Sequence, residues 1–390
     1  MKQVLLFIWM AFSTTLLWSQ ENANIADAET LKHIGFLKRW QIKQAEKEKN
    51  GDFLITPVLG PGYTPELGFS IAGGALMSFL TDKKSPSLQR SSVPVTLGIS
   101  TTGAFFLSSK VATFWNHDKL RINADIWYKN MPDNYFGIGY ENGKNTEKSD
   151  STTEYKRNWF QFNPQVFWQF KPTYFVGGAL DINYTHGTDA STGVATNSDY
   201  IKYNDKPFNI GLGVHALIDS RDVEVNAWKG WYVLAQVMFY GKYFGGDNNY
   251  QIYNIDTRHY IRLFKPGQTL AMQIRGRFTT GDVPYGEMSQ LGTPFDLRGY
   301  FWGQYRDKNM MFAIAEYRHD FYKKNGERSK HGAVIWLAGG TIAPDLGFND
   351  FLPNGGIGYR FEVQPRMALR LDFGIGRDTK GFYFNFNEAF

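Results

Sequence analysis

Met367-Ala-Leu-Arg-Leu-Asp-Phe-Gly-Ile375 is the stretch that decides how this chain folds. Met367, Leu369, Leu371, Phe373 and Ile375 alternate with Ala368, Arg370, Asp372 and Gly374. A period of two puts one set on one face of a strand and the other set on the opposite face. The stretch before it repeats the pattern, with Ile357, Tyr359, Phe361 and Val363 opposed to Gly358, Arg360 and Glu362. Charges of both signs on one face of adjacent strands suit a polar interior, where Arg360, Glu362, Arg370 and Asp372 can cross-pair. Upstream, Leu120, Ile122, Ala124, Ile126 and Tyr128 alternate with Arg121, Asn123, Asp125 and Lys129, and Trp127 is the one aromatic on the polar face.

One such strand would equally suit a soluble sandwich with a solvated face, so the count of strands matters. Strand-like segments fall near 53–59, 66–80, 90–101, 104–117, 118–129, 155–170, 172–186, 206–219, 229–241, 249–264, 266–280, 309–321, 331–341, 354–363, 366–376 and 380–390. They number about 16, and an even number is what a single-chain bacterial barrel requires. If the first strand runs outward, the gaps 130–154, 187–205, 281–308 and 342–353 all lie on the outer side, while Lys171, Lys265 and Gln364-Pro365 make tight turns on the other. Long external loops and short periplasmic turns are the asymmetry of outer-membrane barrels, although 81–89, 220–228 and 322–330 are longer than that rule prefers.

Composition agrees. The 390 residues include 17% aromatics, 40 Gly and no Cys, and the 43% hydrophobic residues form no apolar run after the N-terminus long enough for a membrane helix. The reading is therefore all-β: a transmembrane antiparallel β-barrel over 53–390, with its aromatics in two interfacial girdles. Residues 1–20 read as a secretory signal, with Lys2 ahead of an apolar core; Ser13, Thr14 and Thr15 interrupt that core and argue against an uncleaved anchor. Residues 21–52 read as a short periplasmic amphipathic helix or linker, with Leu31, Ile34, Leu37 and Trp40 near helical spacing. It is either a periplasmic tail or a helix that plugs the barrel or docks a partner. A net charge of +5, dispersed along the chain, gives no case for nucleic acid, whereas basic residues can face lipopolysaccharide phosphates.

The gap 281–308 contains Gln290-Leu-Gly-Thr-Pro-Phe-Asp-Leu-Arg-Gly-Tyr-Phe301 and, by the strand count, forms the sixth external loop. Arg298-Gly299-Tyr300 alone would pass for a surface turn. At this position it resembles the BamA/TamA superfamily of outer-membrane assembly and translocation barrels, the bacterial surface antigen family. Three further stretches are similar to that family: 211–222 ending Asp-Ser-Arg-Asp and followed by Trp228-Lys-Gly-Trp-Tyr232, Ala313-Ile-Ala-Glu-Tyr-Arg318, and the closing strand 381–390. The resemblance spans roughly 53–390.

It implies that Arg298 enters the lumen with Gly299 and Tyr300 and bonds Glu316 on the twelfth strand. Ala338 stands where the family usually places a second, aspartate partner, so Arg298 rests on Glu316 alone, or on Asp296 or Asp320. Phe382, Phe384, Phe386 and Phe390 are expected to share one face of the last strand and resemble the signal that delivers barrels to the assembly machinery. The resemblance also implies the bacterial outer membrane, insertion or translocation of outer-membrane proteins or lipids, and an accessory place beside assembly-machinery or periplasmic subunits. Residues 21–52 are too short for one of the family's periplasmic substrate-binding modules. A pore or structural anchor is the alternative of another class.

No enzyme is read from the sequence. His33, His117, His186, His215, His259, His319 and His331 show no metal-ligand spacing, and there is no Gly-x-Ser-x-Gly elbow. No cofactor follows, and only a Ser–His pair assembled from neighbouring strands would escape this reading.

Overall fold

The computed structural model describes Lys43, Glu46, Lys47 and residues 50–85, 88–224, 226–348, 350–364 and 366–390. The secretory segment 1–20 lies outside the described residues. So does most of the helical stretch 21–52, of which Lys43, Glu46 and Lys47 are helical.

Sixteen strands close into one antiparallel barrel. They are β1 (Leu54–Thr64), β2 (Gly68–Phe79), β3 (Ser91–Ser100), β4 (Phe105–Trp115), β5 (Leu120–Asn134), β6 (Glu154–Lys171), β7 (Tyr174–Thr188), β8 (Phe208–Asp219), β9 (Gly230–Tyr240), β10 (Tyr250–Arg262) and β11 (Gln268–Gly281), followed by β14 (Asn309–Tyr322), β15 (Arg328–Ala343), β16 (Leu352–Gln364), β17 (Met367–Ile375) and β18 (Lys380–Phe386). The intervening β12 (Ser289–Leu291) and β13 (Tyr305–Asp307) form a separate two-stranded sheet inside the sixth loop. Every wall strand pairs with its chain neighbour, β11 pairs with β14 across that loop, and β1 meets β18. Among the described residues three short α-helices sit in the outer loops: α1 (Tyr140–Asn145), α2 (Thr192–Ala195) and α3 (Ser198–Asn204).

The partition of side chains is the reverse of that in a soluble protein. Leu337 and Val214 are 73% and 62% exposed on the outside, whereas Arg298, Glu316, Arg370 and Asp372 have no exposed surface inside. An apolar exterior around a closed ladder is stable against hydrocarbon, not against water.

At both ends of the barrel a strand boundary differs from the sequence reading for a physical reason. The first strand runs to Thr64 rather than stopping near residue 59, since Gly60-Pro61-Gly62 looks like a break but continues the ladder with β2, Gly60 opposite Ala72 and Gly62 opposite Ser70. Proline is tolerated in such an edge-like strand, at the loss of a donor. The last strand ends at Phe386, not Phe390. Asn387 takes a left-handed φ of 65° and donates its N–H to the Ala368 carbonyl at 2.7 Å, which turns the tail inward.

Candidate functional site: a loop held in the lumen

The sixth loop, 282–308, folds down into the barrel, and its turn is organised by Asp296. That carboxylate accepts the N–H groups of Gly292 and Thr293 at 2.8 Å each and the Thr293 hydroxyl at 2.7 Å. Burial pushes the Asp296 carboxyl up, against the hydrogen bonds that favour its anion. Thus occupied, Asp296 holds the turn that presents Arg298 and is not its partner.

Arg298 lies flat over the Trp336 ring of β15, 3.7 Å from its centroid. One guanidinium nitrogen donates to Glu316 of β14, and the other donates to Asp372 of β17 at 2.7 Å. The sequence-predicted pair Arg298 and Glu316 is therefore brought together. The second carboxylate is Asp372, in place of Asp296 or Asp320; the latter instead accepts from Arg328 at 2.7 Å. Both acids are shared: Arg318 donates to Glu316 at 3.0 Å, and Arg360 donates to Asp372 at 2.6 Å. Burial opposes charge on Arg298, but the two carboxylates outweigh it and hold the guanidinium above its ordinary pKa. Such planar, bidentate recognition is what Arg supplies and Lys does not.

The residues around Arg298 grip the other strands. Gly299 donates its N–H to the Tyr383 hydroxyl on β18 at 2.9 Å. The Tyr300 hydroxyl donates to the Pro353 carbonyl on β16 at 2.7 Å, and Arg370 of β17 donates to the Pro294 carbonyl at 3.0 Å. Asn354 of β16 binds the Arg298 carbonyl through its amide and accepts the Trp336 indole N–H at 3.0 Å. The loop thus touches five successive strands, β14 to β18. Its backbone lies against the wall at Gly299, where φ is +119° and a Cβ would come within 2.7 Å of the Gly374 carbonyl carbon.

Around this site, α1 and β13 stack Tyr140 on Tyr305 with centroids 5.5 Å apart, while Tyr135, Tyr155, Tyr200 and Tyr285 cluster under α2 and α3. These loops cover the outer mouth. A chamber of about 620 Å³ remains below them, lined by groups that include Arg157, Gln161, Asp181, Arg258 and Arg277. At the inner end the β8–β9 turn crosses towards the β16–β17 turn: Arg366 donates to Asp222 at 2.8 Å and to the Asn226 carbonyl at 2.6 Å, and stacks 3.2 Å above Trp228.

The closing-strand phenylalanines separate. Phe382 and Phe386 point outward, 46% and 38% exposed, and Phe384 lies opposite Tyr63 on the same outer face. Phe390, expected beside them, is buried inside the barrel, where its ring lies 4.9 Å from the Arg318 guanidinium and its backbone oxygen accepts from Arg318 at 3.0 Å. Glu388 draws the tail in by accepting from Arg360 at 2.9 Å.

The wall is weakest at its seam. β1 pairs β2 along its whole length, Leu54 to Thr64, but meets β18 through the single pair Tyr63 and Phe384. Across it, the Tyr63 and Phe382 rings are 6.1 Å apart.

A closed antiparallel barrel of 16 wall strands with an apolar exterior, a loop ion-paired inside its lumen and one poorly paired seam has the architecture of a membrane-spanning β-barrel. The chain belongs to the Omp85 superfamily, whose domain model matches residues 89–390. No curated protein sequence matches it. Among solved structures it is similar to BamA of Haemophilus ducreyi lacking POTRA domains 1–3, at 12% identity and a TM-score of 0.55, over 95% of this chain and 81% of that one. It is also similar to CdiB of Acinetobacter baumannii, at 11% identity and a TM-score of 0.52 over 90% and 68% of the two chains. CdiB of Escherichia coli aligns at 9% identity with a TM-score of 0.56, over 85% of this chain and 62% of that one.

Proposed function

We propose that this barrel resides in the bacterial outer membrane and assists the insertion or translocation of outer-membrane proteins or lipids, as an accessory to assembly-machinery or periplasmic subunits. The observation that carries the reading is the seam, where a single residue pair joins β1 to β18. An edge held that loosely can open and accept a client strand by β-augmentation, its unpaired N–H and C=O groups serving as the template. The work is then done by strand exchange rather than by catalysis. Phospholipid and lipopolysaccharide form its surroundings, and Phe382, Phe384 and Phe386 serve in its own delivery to the membrane.

The chain has no Cys, which makes the test clean. Tyr63→Cys with Phe384→Cys places two thiols at the paired position, where antiparallel Cα separations of about 4.5–5.5 Å suit a disulfide. A control pair, Leu212→Cys with Phe239→Cys, staples the fully paired β8–β9 wall. Oxidation of the seam pair alone should abolish client insertion in reconstituted vesicles and reduction should restore it. Equal activity of both oxidised barrels would rule the gate out.

The second reading, a pore or structural anchor, draws on the polar chamber of about 620 Å³. A steady planar-bilayer current that changes in Arg298→Ala would favour it.

A further inference from the structure

On the outer face of the wall, the last strands carry two histidines where lipid should lie. His319 of β14 stands directly opposite Ala333 of β15, and Ala333 stands opposite Tyr359 of β16. The Tyr317 hydroxyl is 2.8 Å from His319 Nδ1, and the Tyr359 hydroxyl bonds His331 Nδ1 in the same way. Two Tyr–His pairs therefore surround one small residue. His331 lies two positions from Ala333 on the same face, so the imidazoles are diagonal neighbours with backbones about 7–8 Å apart.

Ionisable groups on a lipid-facing surface are costly and are retained where they have a partner. When each tyrosine hydroxyl donates to Nδ1, the imidazole proton sits on Nε2, and both rings offer an N–H away from the wall. Both histidines lie three residues from the inner ends of β14 and β15, where Phe321, Phe361 and Phe386 extend the aromatic row as in the interfacial belt of a membrane barrel. The adjoining β14–β15 turn adds exposed Lys323 and Lys324, of which only Lys323 has an acidic partner, Glu327 at 3.1 Å, among the described residues. From His319 and Tyr359, the partner of His331, an apolar groove of about 600 Å³ climbs towards the middle of the membrane. Ala333 and Gly358 lie along it, its walls include Ile335, Ile357 and Phe373, and it reaches Phe382 on the seam strand β18.

We propose that this is a binding site for one phospholipid of the inner leaflet. Its headgroup phosphate accepts from Nε2 of His319 and His331 beside the two lysines, and an acyl chain occupies the groove over Ala333 and Gly358. The proposal rests on the membrane-spanning reading of the barrel and not on insertase activity.

The test is native mass spectrometry of the full chain in mild detergent with three probes: phosphatidylglycerol, diacylglycerol of the same chains, and inorganic phosphate. The wild type should retain one phosphatidylglycerol, take up no diacylglycerol, and keep its lipid in the presence of inorganic phosphate. His319→Leu with His331→Leu, a change the lipid face tolerates, should lower occupancy about tenfold through the loss of two hydrogen bonds. Ala333→Phe fills the groove with both histidines intact and should lower it likewise, while heat-modifiable migration in gels shows both barrels folded. Unchanged occupancy in either variant, equal uptake of diacylglycerol, or displacement by inorganic phosphate would each overturn the proposal.

Discussion

Replacing Arg298 by Ala removes a guanidinium from between Glu316 and Asp372, all three without exposed surface. Truncating one member of a buried charge pair typically costs about 3–5 kcal/mol, because the partner stays buried and uncompensated. Here neither acid is stranded: Glu316 keeps Arg318 at 3.0 Å and Asp372 keeps Arg360 at 2.6 Å. The low end, about 3 kcal/mol, therefore applies. Loss of the stacking over Trp336 adds about 1 kcal/mol. A total of about 4 kcal/mol is about three decades in the ratio of docked to undocked loop. Chymotryptic cleavage at Tyr300 and Phe301 in the folded barrel reads that ratio, provided the loop opens and recloses faster than it is cut. Cleavage should rise about a thousandfold, or until the loop is fully undocked. Arg298→Lys keeps the charge but reaches one carboxylate, so its effect should be intermediate, about 1.5–3 kcal/mol for one lost charge-assisted bond. If Arg298→Ala changed cleavage by less than about threefold, or Arg298→Lys matched the wild type, the bidentate grip would not be what holds the loop.

Three further outcomes follow from the same contacts. Gly299→Ala sets a Cβ against the Gly374 backbone at a φ that L residues avoid, and should free the loop to a similar protease sensitivity without touching a charge. Burial, with the Asp181 carboxylate nearby, pushes Glu287 in the sixth loop up to about 7. A carboxyl raised in this way contributes stability at low pH that is lost as pH rises towards 7, so the urea midpoint should fall between pH 5 and 8 in the wild type and stay flat in Glu287→Gln. At the inner mouth, burial pulls Asp222 up but the Arg366 bond outweighs it and holds the carboxyl below the usual range. A depressed carboxyl contributes above its unfolded value and is lost as pH falls through the folded one, so tryptic cleavage at Lys229 should appear only in acid, whereas Asp222→Asn should expose it at neutral pH.

What could be read in the sequence divides along one line: pairing between chain neighbours was legible, and pairing across the lumen was not. Alternation located all the wall strands, because a one-residue slip would have put Arg360 or Asp372 into lipid. It failed where composition mimics a break, at Gly60-Pro61-Gly62 and again at Met131-Pro132, where β5 continues to Asn134. Arg298 and Glu316 were found because a resemblance fixed their order along the chain. Asp372 stood in plain view on the polar face of the deciding strand, yet its role depends on barrel curvature, which swings β17 round to face the same point as β14. Trp336, Asn354 and Tyr383 join the site for that reason too, and Trp228 meets Arg366 across 138 positions with no local signal. The inward turn of Phe390 was hidden for another reason, since one left-handed residue, Asn387, changes the face of everything after it.

The same loop bears on the seam it does not belong to. On one side of the gap, Gly299 donates to Tyr383 of β18 at 2.9 Å; on the other, Trp302 donates its N–H to Glu66, in the turn between β1 and β2, at 3.1 Å. Two bonds from one loop therefore span from inside a junction that has a single residue pair of its own. Closure of the wall then depends on the docking of the loop, and docking depends on Arg298, which touches neither β1 nor β18. In the Tyr63→Cys, Phe384→Cys barrel, adding Arg298→Ala should slow disulfide formation across the seam, as should Glu66→Ala with Tyr383→Phe, while the β8–β9 control pair oxidises at its usual rate. Unchanged oxidation at the seam in both backgrounds would separate the latch from the gate and leave the loop as a structural fastening for β14 to β17 alone.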